Sequence, residues 1–279
     1  MHLVVLAAGH GRRFGGLKQL AAVGPDGEAI MDYTARSALR AGFDRAVLIV
    51  REDVRDELSA HVAARWPPGL EVTAVLQGPI PGTAQAVASA SGHVKGSFAV
   101  VNADDLYGDE AVEALAAGLP QLGAGDHLMV TYELARTILT DAPVTRGICA
   151  TNAAGDLERV VEMTVTRRPG GFEARPVGTD GAVSSSRLEG REAVSMNLWG
   201  FSEGIFAELE ASLAAFDPPA PSSPGAKPPE LLLPSVVADL VARGRCRVRT
   251  VPTKSRCIGI THPDDLPLVR RIVAEREAS

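Results

Sequence analysis

The sequence predicts an α/β fold with a mostly parallel sheet. Short runs of β-branched and other apolar residues alternate with longer helical patterns through the first half of the chain. Strands that are separated by helices form right-handed βαβ units, in which successive strands run parallel. Residues 3–6 (LVVL) are apolar throughout, which is typical of a strand covered by helices on both faces of its sheet.

The individual elements are predicted from their local patterns. In the first half, strands are expected at residues 3–6, 46–50, 71–76 and 98–102, and helices at residues 31–41, 54–65 and 83–90. In the second half, strands are expected at residues 128–134, 147–152, 160–165, 193–201 and 247–251, and helices at residues 203–214, 231–243 (interrupted near Pro234) and 263–277. Residues 167–191 indicate a loop or an exposed hairpin, and the proline-rich residues 217–229 indicate a turn-rich loop.

The composition is that of a soluble globular protein. Of the 279 residues, 46% are hydrophobic and 22% are charged, and the formal net charge is -6. An acidic balance argues against a nucleic-acid partner, which normally requires a basic face. Cys149, Cys246 and Cys257 show no C-x-x-C spacing and are expected to be reduced thiols in the cytoplasm. No apolar stretch approaches the roughly 18 residues of a membrane span, so no membrane partner is expected.

A glycine-rich segment that also carries cations follows the first predicted strand. It contains four glycines, which permit left-handed backbone and let successive N–H groups converge on an anion: Gly9, Gly11, Gly15 and Gly16. Arg13 and Lys18 add positive charge where a triphosphate would lie. Neither the P-loop pattern G-x-x-x-x-G-K-[ST] nor the dinucleotide pattern G-x-G-x-x-G fits the segment. We therefore expect a phosphate-binding loop of another kind.

Two further motifs follow predicted strands. In QGPIPGTAQA (residues 77–86), Gly82 and Thr83 open a helix, where free N–H groups can meet a ligand. The apolar strand at residues 98–102 is followed by Asp104 and Asp105, whose carboxylates are expected at the carboxyl edge of the sheet, where α/β proteins bind ligands. Mg²⁺ prefers one or two carboxylates together with phosphate oxygens and water. Asp105 is expected to orient water or to cap the next helix.

Together these motifs resemble the nucleotidyltransferase superfamily that includes the sugar-1-phosphate thymidylyl-, uridylyl- and guanylyltransferases. The pattern L-A-A-G-x-G-x-R-x-G…K carries the resemblance, which is strong over residues 1–110 and looser over residues 140–270. The resemblance implies a three-layer, Rossmann-like (GT-A-type) sheet with helices on both faces and a smaller β-rich portion for the substrate. One domain (1–279) would then comprise a nucleotide-binding half (1–125) and an acceptor-binding half (126–279).

The resemblance also implies a role for each matching residue. Arg13, Lys18 and Asp104 would be catalytic, with Asp104 holding Mg²⁺. The nucleotide-binding residues would be Leu6, Ala7, Ala8, Gly9, Gly11, Gln77, Gly82 and Thr83, of which Gln77 and Gly82 would read a uracil or thymine base. The acceptor would contact Gly147, Glu162 and Asn197. The implied reaction joins the α-phosphate of UTP or dTTP to a sugar 1-phosphate and releases pyrophosphate.

One departure from the family pattern leaves alternatives open. Many sugar nucleotidyltransferases have a Lys directly after the acceptor Glu, whereas Met163 stands here. Another cation would have to grip the acceptor phosphate, with these candidates: Arg146, Arg167, Arg168 and Lys254. The second metal ligand is also open, with residues 258–265 in about the right place.

Other functions and the assembly state are open as well. A non-sugar phosphorylated acceptor fits the short loop. Arg13 and Lys18 argue against a glycosyltransferase that uses an already activated nucleotide sugar, and a nucleotide-sensing module would be expected to lack Asp104 or Lys18. A homo-oligomer also stays open.

Overall fold

An 11-stranded sheet forms the centre of the computed structural model, which describes residues 1–9, 11, 14–177, 185–217 and 229–278. The strands, in chain order, are β1 His2–Leu6, β2 Arg45–Val50, β3 Glu71–Leu76, β4 Phe98–Asn102, β5 Asp105–Leu106, β6 Asp126–Glu133, β7 Val144–Thr151, β8 Leu157–Arg168, β9 Gly171–Pro176, β10 Ser186–Leu188, β11 Ala193–Phe201, β12 Arg247–Thr253 and β13 Ile258–Gly259. Strands β5 and β13 form a separate antiparallel pair beside the main sheet.

The helices are short and connect or flank these strands. They are α1 Ile30–Arg40, α2 Arg55–Arg65, α3 Thr83–Ala88, α4 Asp109–Gly118, α5 Ile205–Ala214, α6 Leu233–Ala242 and α7 Leu266–Glu277. None of the helices in the described part of the chain has the length and the apolar character needed to cross a bilayer.

The strand order confirms the predicted α/β class. The path runs β10-β9-β8-β7-β11-β4-β1-β2-β3, and β6 pairs with β11 and β12. The pairs β1–β2, β2–β3, β1–β4 and β6–β12 are parallel, as expected for βαβ units. Strand β11 joins this part antiparallel to β4, and an antiparallel ribbon of β7 to β10 extends the sheet from there.

Apolar side chains of β1 alternate between two cores, one on each face of the sheet. Leu3 and Val5 pack in the core that includes residues of α1, α2 and α4, whereas Val4 and Leu6 pack in the core that includes residues of α3, α5 and α6. Burying each such side chain contributes about 1.5–3 kcal/mol relative to leaving it in water. The described residues therefore form a sheet that is covered on both faces, as the apolar run predicts, in the three layers that the family resemblance implies.

Several element boundaries differ from the prediction. Helix α4 was not predicted. The stretch 167–191 contains the antiparallel strands β9 and β10, in agreement with the hairpin alternative, and residues 178–184 lie outside the described residues. Pro234 does not interrupt α6 but lies in its first turn, where the missing N–H costs nothing. Residues 263–265 form a 3-10 turn before α7, and most of the proline-rich stretch 217–229 lies outside the described ranges.

A buried carboxylate joins α1 to α2. Asp32 is fully buried and accepts hydrogen bonds from the backbone N–H of Ala29 (2.8 Å), from Nε2 of His61 (2.9 Å) and from Nε1 of Trp66 (3.0 Å). It thereby satisfies one of the free N–H groups at the start of α1 and ties that helix to the end of α2. A buried acceptor shared by several donors is costly to remove, because each donor is then left without a partner.

Replacing Asp32 by Ala is expected to lower the free energy of unfolding by roughly 2–5 kcal/mol, since it leaves buried donors unpaired. Urea unfolding followed by circular dichroism measures the change. Asp56→Ala, at a side chain that is 96% exposed on α2, is the matched control. Equal stabilities of the two variants would contradict the assigned role of Asp32.

Candidate active site

A cavity of about 450 Å³ opens at the carboxyl ends of β1, β2 and β4. Predicted site residues that line it are Leu6, Ala8, Gly9, Lys18, Gln77, Gly82, Thr83, Asp104 and Asn197. Ala7, Gly11, Gly147 and Glu162 do not line this cavity, and Arg13 lies outside the described residues. The sheet thus brings the three sequence motifs together where α/β proteins bind ligands.

Several polar residues that sequence reasoning missed also line the cavity. They are Gln19, Arg51, Glu52, Asn102 and Glu230. Arg51 directly follows β2 and Asn102 ends β4, so their position at the carboxyl ends of parallel strands was a signal that could have found them. Gln19 directly follows Lys18 in the glycine-rich motif. Glu230 is contributed by a segment that is distant in sequence, and its local pattern gives no such signal.

The glycine-rich loop is only partly left-handed. Gly11 (φ 56°) and Gly15 (φ 77°) adopt positive φ, whereas Gly9 and Gly16 do not use the left-handed backbone that glycine permits. A Cβ on Gly11 would lie 2.6 Å from the carbonyl oxygen of Gly16, so the close approach of the two backbone segments requires glycine there. The turn brings the chain back to Lys18.

Lys18 and Asp104 form an ion pair in the cavity wall. The ammonium group of Lys18 contacts Oδ2 of Asp104 and also donates to the carbonyl oxygen of Ile260 (3.3 Å). Their side chains are 19% and 20% exposed, so water screens the attraction less than at an open surface. The pair places a cation and a carboxylate in direct contact with each other in the cavity wall.

Asp105 sits in a more enclosed environment than its neighbour. Its Oδ2 accepts a hydrogen bond from Nδ2 of Asn102 (2.8 Å), so it supports the cavity wall and does not cap helix α4, which begins at Asp109. Burial, followed by repulsion from the Asp104 carboxylate, raises the pKa of Asp105 to about 6. A Cβ on Gly259 would lie 2.2 Å from Oδ1 of Asp105, so β13 can pair closely with β5 only because glycine stands there.

The turn at residues 77–83 is held by the side chain of Gln77 and by the backbone of Leu231, which is distant in sequence. Nε2 of Gln77 donates to the carbonyl oxygens of Ile80 (3.3 Å) and Gly82 (3.4 Å). The backbone N–H of Leu231 donates to Pro81 (2.9 Å), and the carbonyl of Leu231 accepts from Ala84 (3.1 Å). The Leu231 carbonyl therefore caps one of the N–H groups at the start of α3.

The three predicted acceptor residues lie on neighbouring strands. Gly147 in β7 stands opposite Glu162 in β8 and opposite Ser195 in β11. Asn197 adopts φ 58° where the pairing of β11 with β6 is irregular, and its Oδ1 accepts from Nε1 of Trp199 (3.2 Å). Gly147 therefore lies beside the strand that carries Asn197 to the cavity, and Glu162 lies one strand further away.

The candidate cations for an acceptor phosphate differ in their partners. Arg146 donates to the carbonyl of Thr137 (2.6 Å), to its Oγ1 (3.1 Å) and to the carbonyl of Thr145 (2.8 Å). Arg167 donates to the carbonyl of Ile138, and Arg168 pairs with Glu173 (3.1 Å). Lys254 is exposed. 

The late segment 258–265 meets the site through its backbone. The N–H of Ile260 donates to the carbonyl of Asp104 (3.1 Å), and the Ile260 carbonyl accepts from Lys18. Oδ2 of Asp265 accepts from the N–H groups of Thr261 and His262 (both 2.7 Å), so this carboxylate serves the turn before α7.

Comparison with solved structures finds the same fold in several proteins. The inositol-1-phosphate CTP transferase of T. maritima aligns with a TM-score of 0.68 at 17% identity, covering 98% of this chain and 95% of that one. A proposed glucose-1-phosphate thymidylyltransferase from Bacillus anthracis, in complex with sucrose, aligns with a TM-score of 0.67 at 13% identity over 98% and 95%. A UDP-glucose pyrophosphorylase complexed with UDP-glucose aligns at 0.60 and 15% identity over 99% and 98%.

At these identities the likeness shows a shared fold, and the family follows from the sequence. The chain shares its α/β fold with solved nucleotidyltransferases. Residues 3–155, more than half of the chain, match the MobA-like NTP transferase domain, and the chain belongs to that family. No curated protein matches the sequence significantly.

Gly82→Ala tests the contact between the turn and Leu231. Gly82 has φ 122°, and an added Cβ would lie 2.2 Å from the carbonyl oxygen of Leu231, so the free energy of unfolding should fall by about 2–4 kcal/mol through strain and clash. Thermal or urea unfolding measures it. Gly92→Ala is the control, because Gly92 also has positive φ (83°) but no atom within 4 Å of an added Cβ. Equal losses in the two variants would contradict the role of the Leu231 contact.

Asp105 is expected to make stability depend on pH. Its folded-state pKa of about 6 lies above the unfolded value, so its contribution is fully present below about pH 4 and is lost as the pH rises through about 6. Relative to Asp105→Asn, the wild type should lose roughly 2–3 kcal/mol of unfolding free energy between pH 4 and pH 8. Urea unfolding of both proteins, with EDTA present, measures this difference. If the wild type and Asp105→Asn differed in unfolding free energy by the same amount at pH 4 and at pH 8, the elevated pKa of Asp105 would be contradicted.

Proposed function

We propose that the protein transfers a nucleoside monophosphate from UTP or dTTP to a sugar 1-phosphate, giving an NDP-sugar and pyrophosphate. The observation that carries the proposal is the Lys18–Asp104 pair, which stands in one cavity between the turn at residues 77–83 and Asn197. A triphosphate at Lys18 would extend its nucleoside along the turn. The acceptor would enter from the side of Asn197.

These residues would position the two substrates and stabilise the negative charge of the leaving pyrophosphate. An oxygen of the acceptor phosphate attacks the α-phosphorus, the new P–O bond forms, and the bond to the β-phosphate oxygen breaks to release pyrophosphate. The attacking oxygen is already anionic, so no strong general base is required. Lys18 would neutralise the leaving pyrophosphate, as would Arg13, which lies outside the described part of the chain.

Asp104 fits the role of a Mg²⁺ ligand. Its carboxylate lines the cavity beside the ammonium group of Lys18. Mg²⁺ takes one or two carboxylates and completes its shell with phosphate oxygens and water, which suits a site whose ligand carries the phosphates. Within the described ranges no three His, Cys, Asp or Glu side chains are grouped to hold a metal ion. When bound, Mg²⁺ would neutralise charge on the phosphate oxygens.

The two halves of the chain would divide the substrates. We propose that residues 1–125 bind the nucleotide, with Gln77, Gly82 and Thr83 at the base, and that residues 126–279 bind the acceptor through Gly147, Glu162 and Asn197. The similar structures support a phosphorylated polyol as acceptor, since they act on inositol 1-phosphate or glucose 1-phosphate or hold UDP-glucose. 

The free thiols of all three cysteines support a cytoplasmic setting. Homo-oligomers would be compatible with this reaction.

A phosphorylated acceptor that is not a sugar is the second candidate. Met163, which follows Glu162, stands opposite Arg146 in the β7–β8 pairing and provides no charge for a phosphate. All three side-chain nitrogens of Arg146 already donate hydrogen bonds to Thr137 and Thr145. The acceptor phosphate would then be bound by other groups than in the sugar nucleotidyltransferases that have a Lys directly after the acceptor Glu.

Lys18→Ala is expected to lower the turnover number by a factor on the order of 10²–10³, because it removes a positioned cation from the transition state. Asp104→Ala should abolish turnover if it holds the metal. The assay is pyrophosphate release with Mg²⁺, in which UTP, dTTP, CTP, GTP and ATP are each combined with sugar 1-phosphates and with inositol 1-phosphate.

Lys95→Ala removes an exposed lysine outside the cavity and is the matched control. Release that requires both substrates and is lost in Asp104→Ala would support the reaction and identify the base and the acceptor. Wild-type turnover in Lys18→Ala would remove the role assigned to Lys18. If the wild type released no pyrophosphate with any sugar 1-phosphate but did so with inositol 1-phosphate, the second candidate would be supported.

A further inference from the structure

Three consecutive carbonyl groups of the glycine-rich loop are held by two side chains. Nε2 of Gln19 donates to the carbonyl oxygens of Ala7 (3.0 Å) and Gly9 (2.9 Å). Nη1 of Arg51 donates to those of Ala8 (2.9 Å) and Gly9 (2.8 Å). Each nitrogen carries two protons and uses both on the loop. We call Gln19 and Arg51 the loop clamp.

Both members of the loop clamp are themselves fixed. Gln19 is 3% exposed, so its amide has little freedom to leave the loop. Arg51 forms two further hydrogen bonds with Asp53, from Nε to Oδ1 and from Nη2 to Oδ2, each 2.9 Å long. A paired fork of this kind sets the orientation of the guanidinium plane. Because Asp53 also offsets its charge, Arg51 is better suited to positioning than to attracting an anion.

Holding these carbonyls also determines where the next N–H groups point. In a planar trans peptide, the C=O of one residue and the N–H of the next point in opposite directions. The carbonyls of Ala7 and Ala8 point towards the loop clamp, so the N–H groups of Ala8 and Gly9 point away from it. Within the described part of the chain, no hydrogen bond uses either N–H group as donor. Ala8 and Gly9 both line the cavity.

We propose that Gln19 and Arg51 are positioning residues that present the N–H groups of Ala8 and Gly9 to the phosphates of the nucleotide. The inference rests on the proposed function, since the phosphates are those of the triphosphate substrate. Preorganised N–H groups stabilise an anion without a cost of reorganisation when it binds. Loss of either member would let the peptide planes rotate, and the anion would have to reorder them.

The test is calorimetric binding of inorganic pyrophosphate and of UTP, each with Mg²⁺, to the full-length wild type and its variants. Arg51→Ala and Gln19→Leu are expected to weaken both affinities by about 10- to 100-fold, the loss of one or two oriented charge-assisted hydrogen bonds. The KM for the triphosphate should rise by a similar factor, while the KM for the acceptor stays constant. The NMR order parameters of the Ala8 and Gly9 amide groups in the free protein should fall, because their peptide planes would be free to rotate.

Two further variants separate positioning from charge and from folding. Arg51→Lys keeps the positive charge but loses the fork with Asp53, so it should restore little of the affinity. Arg45→Ala removes an exposed arginine at the opposite end of β2 and should bind as the wild type does. Full rescue by Arg51→Lys would overturn the proposal, because charge alone would then suffice.

The remaining outcomes distinguish this inference from the proposed function. If the wild type binds pyrophosphate and UTP, and Arg51→Ala and Gln19→Leu bind them equally well, the loop clamp is overturned and the proposed function stands. If the wild type binds neither pyrophosphate nor any triphosphate, the proposed function is overturned and this inference with it.

Discussion

The parallel pairing of β1 with β2 on one side and with β4 on the other is the constraint from which the site follows. Leu6 lies opposite Ile49 in β2 and opposite Asn102 in β4, so the three strands end at the same level. The glycine-rich loop, Arg51 and Asp104 therefore emerge side by side. The apolar side chains of these strands supply the stability of the sheet from both faces, which leaves the polar residues at its edge available for binding.

The charged side chains at the carboxyl edge of the sheet differ in whether a group of opposite charge is paired with them. Asp104 is paired with Lys18, and Arg51 with Asp53. In the described part of the chain, the Asp105 side chain accepts a hydrogen bond from the neutral amide of Asn102, and burial together with the neighbouring carboxylate raises the pKa of Asp105. Asp104 thus pairs with a cation in the cavity, while Asp105 supports the wall behind it.

The second half of the chain completes the cavity through long-range backbone pairing. Strand β11 runs antiparallel to β4 and carries Asn197 to the cavity, and β13 pairs with β5 directly behind Asp104. The segment around Leu231 bonds to the turn at residues 81–84 from almost 150 residues away in sequence. Such contacts hold the two sides of the cavity together, and none of them is set by local residue preference.

The sequence by itself determined the α/β class and the strands and helices of the first 102 residues, because apolar periodicity and glycine spacing are local properties of the chain. It also identified the motifs whose residues meet in the cavity, since each motif follows a strand. Helix α4 and the strands β5 and β13 escaped prediction, and so did the positions of Gln19 and Arg51 against the loop carbonyls. Strand register and side-chain contacts between distant segments depend on how the whole sheet packs. Only the tertiary structure therefore decided which polar groups hold the loop, and which of two adjacent carboxylates is paired.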